Sequence, residues 1–558
     1  MMRRFLTGCA LTAACAAHAQ TIPNSGELLQ QTPPTNQPKP SSNPGLTIKQ
    51  PGSRESDQSP PFFVQRIEIT GNTWVSTAEL RALVAPSENK TLNLQYLEQI
   101  AGLITKRYQD HGYLLSRAYV PAQTLDGGTV RIAVVEARYG VASVSSNTSK
   151  VDSSFLVPYL SALQPGQPVT ETDLERSLLL LSDVPGAVVN SVLAPGTAVG
   201  TSDIRVTAEP GAPYDARIGL DNGGNRYTGR TRATGTLDLN NPFDHGDVFS
   251  LTGLTAGPDL DYGRLGYQSL VPDGMGTTLG AAVSGLYYAL GDGLSALHAH
   301  GTAITEGLTL MQPFIRGVNG NLFAQAGVEE RQLRDEVDVT DIHTDRRTTA
   351  LTLTVAGDHR DASGIFNFNV AFDVGQVSFE NQTARDLDAA TARIDGTYAK
   401  LNFSAARLQT LTSSNSLYIA LNGQLADKNL DSSEQFFLGG PNSVRAYDVG
   451  AVGGASGVLG SVEFRQNLPQ SLPGAWQAIA FVDSGALRVY QDAFEPGRNT
   501  ASLSGAGVGL NWSTKSGWAA SGGVAAPIGG RPLLAGDEAS MRLWVEIHKS
   551  FAPGGGAR

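Results

Sequence analysis

The spacing of apolar residues changes twice along the chain, and each change marks a different kind of structure. Phe63, Ile67 and Ile69 share one face of a strand that ends at Gly71-Asn72. Ser76-Thr77-Ala78-Glu79 is a capping box that opens a helix. A second helix is predicted from Asn93, with Leu94, Leu97, Ala101, Ile104 and Tyr108 on one stripe and Gly112 as its left-handed stop. Strands are expected near 116–120 and 129–136, joined through Asp126-Gly127-Gly128. The order β-α-α-β-β then recurs. A strand lies near 139–145 and helices begin near Ser153 and Thr170, the latter carrying Leu174, Leu178 and Leu181 on one face. Pro185-Gly186 ends it, and strands follow near 188–194 and 203–208. The repeated unit is roughly 75 residues long, close to the smallest size that holds its own core.

From about Pro210 the helical period disappears and strict alternation replaces it. Leu351, Leu353 and Val355 alternate with polar or small residues, as do Phe366, Phe368, Val370 and Phe372, and Leu417, Ile419, Leu421 and Leu425. A soluble sandwich alternates in the same way. Two features favour a membrane barrel. Roughly 340 residues of strand and turn are too many for one sandwich, whereas a membrane-crossing strand needs only about ten. In the final strand, Met541, Leu543, Val545, Ile547 and Phe551 point one way while Arg542, Glu546 and His548 point the other. Such a pair of faces suits lipid outside and water inside, and closure removes the open edges of so large a sheet.

Composition agrees with many strands and turns: glycine numbers 63 and only 17% of residues are charged. A net charge of −11 weighs against nucleic acid as a partner. Residues 1–19 read as an export signal, with Arg3 and Arg4 ahead of an apolar stretch and Ala17-His18-Ala19 as the cleavage site. Both cysteines, Cys9 and Cys15, fall inside it, so the exported chain would hold no disulfide or thiolate metal site. Beyond it no run of about twenty apolar residues occurs. Residues 20–61 read as a Pro-rich extended linker, within which 22–31 include Gly26-Glu27-Leu28-Leu29-Gln30-Gln31, helical only against a partner surface.

The repeated unit resembles the POTRA domain, and two of them ahead of a barrel resemble the TpsB transporters of two-partner secretion, within the superfamily of BamA-like assembly factors. The residues that carry this are Phe437-Leu438-Gly439-Gly440-Pro441-Asn442-Ser443-Val444-Arg445-Ala446-Tyr447, similar to the family's Val-Arg-Gly-Tyr loop motif with Ala446 in place of glycine. An alanine there would be strained if the position needs a positive φ. Phe481-Val482-Asp483-Ser484-Gly485 resembles the strand motif whose acidic residue pairs with the loop arginine. Residues 221–229, 241–247 and 312–316 fit less specifically. The resemblance implies POTRA domains at 62–137 and 138–209, a barrel of about sixteen antiparallel strands at 210–551 and a tail at 552–558. It also implies that 22–31 sit inside the barrel as a plug. Ile479, Phe481 and Asp483 share a face by parity, so Asp483 could hold Arg445 bidentately beside Phe481 if that face is luminal.

No metalloprotease, hydrolase or P-loop pattern is present, so no catalytic residue, cofactor or nucleotide is expected. Gly505-Ala506-Gly507-Val508-Gly509 imitates a nucleotide loop, but small residues on a packed strand explain it better. His298 and His300 would share a strand face, yet no third ligand lies near them in sequence, and no metal site is expected. What the resemblance implies is an outer-membrane exporter with its N-terminal domains in the periplasm. Its partner would be a large exoprotein of haemolysin or adhesin type, bound through that protein's N-terminal secretion domain by POTRA strand edges, with outer-membrane lipid around the barrel. An assembly factor that inserts other barrels is the alternative.

Overall fold

The computed structural model describes residues 22–33, 46–48, 59–469, 473–530, 534–535 and 539–551. The expected export signal, most of the linker and the tail at 552–558 lie outside these residues. The first elements are a six-residue helix, α1 (Ser25–Gln30), and a short strand, β1 (Leu46–Ile48).

In the first small unit, β2 (Phe62–Val64) pairs with β4 (Lys90–Leu92). A separate sheet has the order β3 (Arg66–Thr70), β6 (Thr129–Val135), β5 (Arg117–Tyr119), with β3 parallel to β6. Helices α2 (Thr77–Val84) and α3 (Leu94–Asp110) start at Ser76 and Asn93, whose side chains accept from the Glu79 and Tyr96 amides at 3.3 and 2.9 Å. Leu97, Ile100, Ala101, Ile104 and Tyr108 of α3 are buried in one cluster with Ile67, Val130 and Ile132. Each large apolar side chain buried this way contributes about 1.5–3 kcal/mol. The Tyr108 hydroxyl donates to Glu136 at 2.8 Å, and the Thr73 and Trp74 amides donate to the same carboxylate. Burial opposes ionisation of Glu136, but these hydrogen bonds outweigh it and hold the carboxyl below its ordinary value.

The second unit repeats the plan with β7 (Arg138–Asn147), α4 (Glu171–Ser182), β8 (Ala187–Pro195) and β9 (Thr201–Pro210). Two expectations are corrected here. Instead of a helix opening at Ser153 there are two 3-10 turns, Ser153–Phe155 and Val157–Leu160. Pro158 has no amide to continue a ladder and disfavours helical backbone at Val157. The linker also contributes to the sheet, because β1 lies parallel to β8 and makes the order β1-β8-β9-β7.

Sixteen antiparallel strands close the barrel, from Tyr214–Asp221 to Arg542–Phe551. The first and last pair from Ala216↔Phe551 to Asp221↔Glu546, so no edge is left open. Leu351, Leu353, Val355, Phe366, Val370 and Phe372 are exposed on the outer face, as are Met541 just ahead of the last strand and Leu543, Val545, Ile547 and Phe551 within it. Inward positions carry hydrogen-bonded polar groups, such as Asp373, which accepts from Asn402 at 2.8 Å. Between strands Asn415–Ala426 and Ser456–Asn467 the chain forms a long loop with its own short pairing, Phe436–Leu438 against Val452–Gly454.

Candidate functional site: an occupied lumen

The loop at 427–455 turns into the barrel because its tip is largely apolar and finds an apolar wall. Leu438, Val444, Ala446 and Tyr447 are buried in one cluster with Phe481, Leu503 and Ala525, which belong to three different strands. Gly439 and Gly440, at φ +104° and +107°, make the turn that an L side chain would resist. The Trp544 indole of the last strand donates to the Arg445 carbonyl at 2.7 Å.

Arg445 is the polar centre of this tip. Its Nε and Nη2 donate to the two oxygens of Asp483 at 2.8 and 2.7 Å, and its backbone amide adds a third contact at 3.2 Å. Nη1 donates to Glu463 at 2.7 Å, and the guanidinium lies 3.4 Å over the Phe481 ring centre. Asp483 is fully buried and also accepts from Ser461 at 2.8 Å. A fixed cation in a confined space thus has a forked anionic partner and an aromatic face. Gly485, the last residue of the strand motif, gives Leu438 room, since a Cβ there would sit 2.6 Å from that side chain.

The strain anticipated at Ala446 is absent. Ala446 is not among the residues of positive φ, and its Cβ fits because Gly505 opposite has none. Register places Asp483, Phe481 and Ile479 opposite Gly505, Gly507 and Gly509, and added Cβ atoms would meet Ala446, Phe481 and Ile479 respectively. The glycine run that imitates a nucleotide loop is therefore the floor on which the tip and its strand partners pack.

Helix α1 lies in the same lumen. Leu28 is fully buried among Leu254, Leu260, Tyr262, Leu286, Tyr288 and Leu333. Asn24 caps the helix, and the Ser25 amide and hydroxyl donate to Asp335 at 2.7 and 3.0 Å. The Gln30 side chain donates to the Ser432 carbonyl at 2.9 Å, and Arg232 donates to the Gln31 carbonyl at 3.0 Å. Gly26 is needed for close approach, because a Cβ there would be 2.6 Å from the Ser433 nitrogen.

These contacts join the helix to the base of the loop. Arg346 bridges Asp335, which holds Ser25, and Asp431, 2.7 Å away on the loop. Glu434 is paired with Arg331 and with Lys400, the latter at 2.6 Å. Asp335, Arg346, Asp431 and Glu434 do not stand out in the sequence. For Asp335 and Arg346 the available signal was a charged residue at an inward-facing parity on a strand otherwise set for lipid; Asp431 and Glu434 sit on the loop, where no period marks them.

The less specific matches sit where the barrel meets its neighbours. Asp221 accepts from the Gly223 amide at 2.7 Å and from Arg232 at 2.9 Å, beside Pro441 of the loop. Residues 241–247 and 312–316 form the rim facing the second unit. The Asp152 amide donates to the Asp244 carbonyl at 2.8 Å, and Arg316 holds Asp183 bidentately at 2.7 and 2.8 Å. His298 and His300 do not share a strand face, because His298 has left-handed backbone ahead of the strand Ala299–Arg316.

A closed barrel with an apolar outer face and an occupied lumen, preceded by two small α+β units of which the second docks on one rim, is the architecture of an outer-membrane β-barrel protein. A family model described as "Haemolysin secretion/activation protein ShlB/FhaC/HecB" matches residues 200–512, and one described as "POTRA domain, ShlB-type" matches 62–137. The chain belongs to the ShlB/FhaC/HecB family: it is an outer-membrane transporter that exports a partner exoprotein, with its POTRA region in the periplasm. It is 27% identical to the heme/hemopexin transporter protein HuxB of Haemophilus influenzae, over 90% of each chain. It is 26% identical to the outer membrane transporter CdiB of Escherichia coli, over 85% of this chain and 80% of that one. A solved CdiB structure from Escherichia coli matches with a TM-score of 0.68 at 23% identity, covering 90% of this chain and 93% of that one. The structure of BamA from Haemophilus ducreyi lacking POTRA domains 1-3 shares the fold at a TM-score of 0.53 and 14% identity, over 88% of this chain and all of that one.

Proposed function

We propose that the protein captures a large, unfolded exoprotein of haemolysin or adhesin type in the periplasm and threads it through the lumen, with α1 and the Arg445 loop as movable obstructions. The supporting observation is how both are held. Each is fixed to the wall by side-chain hydrogen bonds and ion pairs, around Asp335 and Asp483, that can be exchanged for water or for a passing chain. Arg445 with Asp483, Phe481 and Glu463 is the latch of the loop. Val444, Ala446 and Tyr447 seat the tip and Gly485 leaves it space.

Capture takes place at sheet edges. An extended segment of the partner's N-terminal secretion domain adds as a strand, its main chain giving affinity and side-chain pockets giving selectivity. The edge at β8 already carries β1, whereas β5 of the first unit, where Tyr119 is exposed, is an edge strand paired only with β6. No nucleotide-binding pattern exists in the sequence, and folding of the partner outside the cell supplies the driving force. Deleting the gene is expected to remove one large, strand-rich protein from the culture medium and leave other outer-membrane barrels at normal levels. Unchanged secretion, or a general loss of barrels, would contradict the proposal.

A further inference from the structure

We infer that the extracellular end of the barrel carries a site for a borderline divalent cation such as zinc, built from His300, Glu336, His343 and Asp338. Register places His300 opposite Glu336 and Glu336 opposite His343, so one row crosses three adjacent strands, Ala299–Arg316, Gly320–Val337 and Ile342–Asp361. Paired residues in one row point to the same side. The row lies at the strand ends opposite the docked second unit. Val328, exposed in the apolar belt, is eight residues below Glu336, roughly 26 Å along a strand at about 3.3 Å per residue. It is therefore reached by water from outside the cell, not by lipid.

The donors are oriented. His300 Nδ1 is 3.3 Å from the His298 carbonyl, which can only accept, and 3.8 Å from Asp338 Oδ1, so in the neutral ring Nε2 is the nitrogen open to a metal. That Nε2 is 3.5 Å from Glu336 Oε2. His343 is arranged in the opposite sense: Nε2 is 3.3 Å from the Asp341 carboxylate, and Nδ1 is 3.7 Å from the same Glu336 oxygen. Two imidazole nitrogens thus converge on one carboxylate oxygen, and a cation placed between them would take all three as ligands in place of N–H donation to Glu336. An oxygen acceptor behind each ring is the usual support of a metal-binding histidine. One ligand atom from each of His300, Glu336 and Asp338 lies within 4.8 Å of the others; Asp338 now stands 3.8 Å from His300 Nδ1 and would swing toward Glu336 to complete the set with His343.

The spacings suit a small metal. Bonds of about 2.0–2.1 Å in a tetrahedron put neighbouring ligand atoms about 3.3 Å apart. The observed 3.5 and 3.7 Å need only small side-chain adjustment to reach that. Two nitrogens with two carboxylates select zinc, nickel or copper over calcium and magnesium, which take oxygen ligands. Bound there, the ion would clip together the outer ends of three strands that surround Asp335 and Arg346, the residues that hold α1.

The test is zinc binding to the full-length, tag-free protein in detergent, by competition with a chromophoric chelator, with calcium as the comparison. One zinc per chain is expected. Binding should be lost in the H300A/E336Q double variant and weakened about 10–100-fold in D341N, which touches only the support of His343. Retention of the heat-modifiable barrel band shows that each variant is folded. Equal zinc binding by the wild type and the double variant, no binding by the wild type, or tighter binding of calcium than of zinc would overturn the inference.

Discussion

Asp483→Ala is expected to reduce export to less than a tenth of the normal level while leaving barrel assembly intact. Asp483 accepts three hydrogen bonds from Arg445 and one from Ser461, with none of its surface exposed. Removing one partner of such a buried pair costs about 3–5 kcal/mol, because the other charge is left without its counterpart. Arg445 would retain Glu463 and the face of Phe481, so the tip would shift rather than unfold. Asp483→Asn keeps the size but accepts less strongly, and Arg445→Lys keeps the charge but loses the fork, so both should fall between. The checks are the amount of partner protein in the medium and heat-modifiability of the barrel in the membrane fraction. Normal export from a correctly assembled Asp483→Ala barrel would remove the latch from the mechanism.

Leu28→Asp should convert a mostly quiet channel into a mostly open one. A six-residue helix has no stability of its own in water, so α1 exists only through what it touches. Leu28 supplies its apolar anchor, worth about 1.5–3 kcal/mol, and aspartate would add the cost of placing a carboxylate among Leu254, Leu260, Tyr262 and Leu333. Every 1.4 kcal/mol is about a tenfold change in occupancy, so the helix should leave the lumen by at least that factor. Asp335→Ala should act in the same direction and more weakly, since it removes the hydrogen bonds to Ser25 but not the packing. Single-channel recording in planar bilayers reads the result. An unchanged open fraction in Leu28→Asp would mean that α1 does not obstruct the pore.

Much of the architecture was legible because its signals are periodic. The stripe of α3, the repeat of the small unit and the alternation of the last strand each follow from one burial pattern. Phe481 and Asp483 fall on one face by parity alone. Their meeting with Arg445, 38 positions away from Asp483, followed from the family resemblance, since spacing says nothing about where a long loop points. What was not legible depends on register. That Gly505 makes room for Ala446 requires knowing which residue stands opposite Asp483. The same holds for Arg346 between Asp335 and Asp431, and for the row from His300 to His343. β1 is too short, at three residues, for any period to register. The helix expected at Ser153 failed on Pro158, a local breaker that the apolar spacing masked.

Whether the exported chain travels inside the cylinder can be asked directly at neighbouring residues. Gly423 stands opposite Phe403 and lies two residues from the exposed Leu421, which puts Phe403 on the lipid side and Ser404 on the inner side. A photo-cross-linking amino acid at each position, combined with a partner stalled in mid-export, should give an adduct with the partner at 404 and none at 403. Adducts at 403 with none at 404 would place the moving chain against the outer wall, which transport through the lumen does not permit.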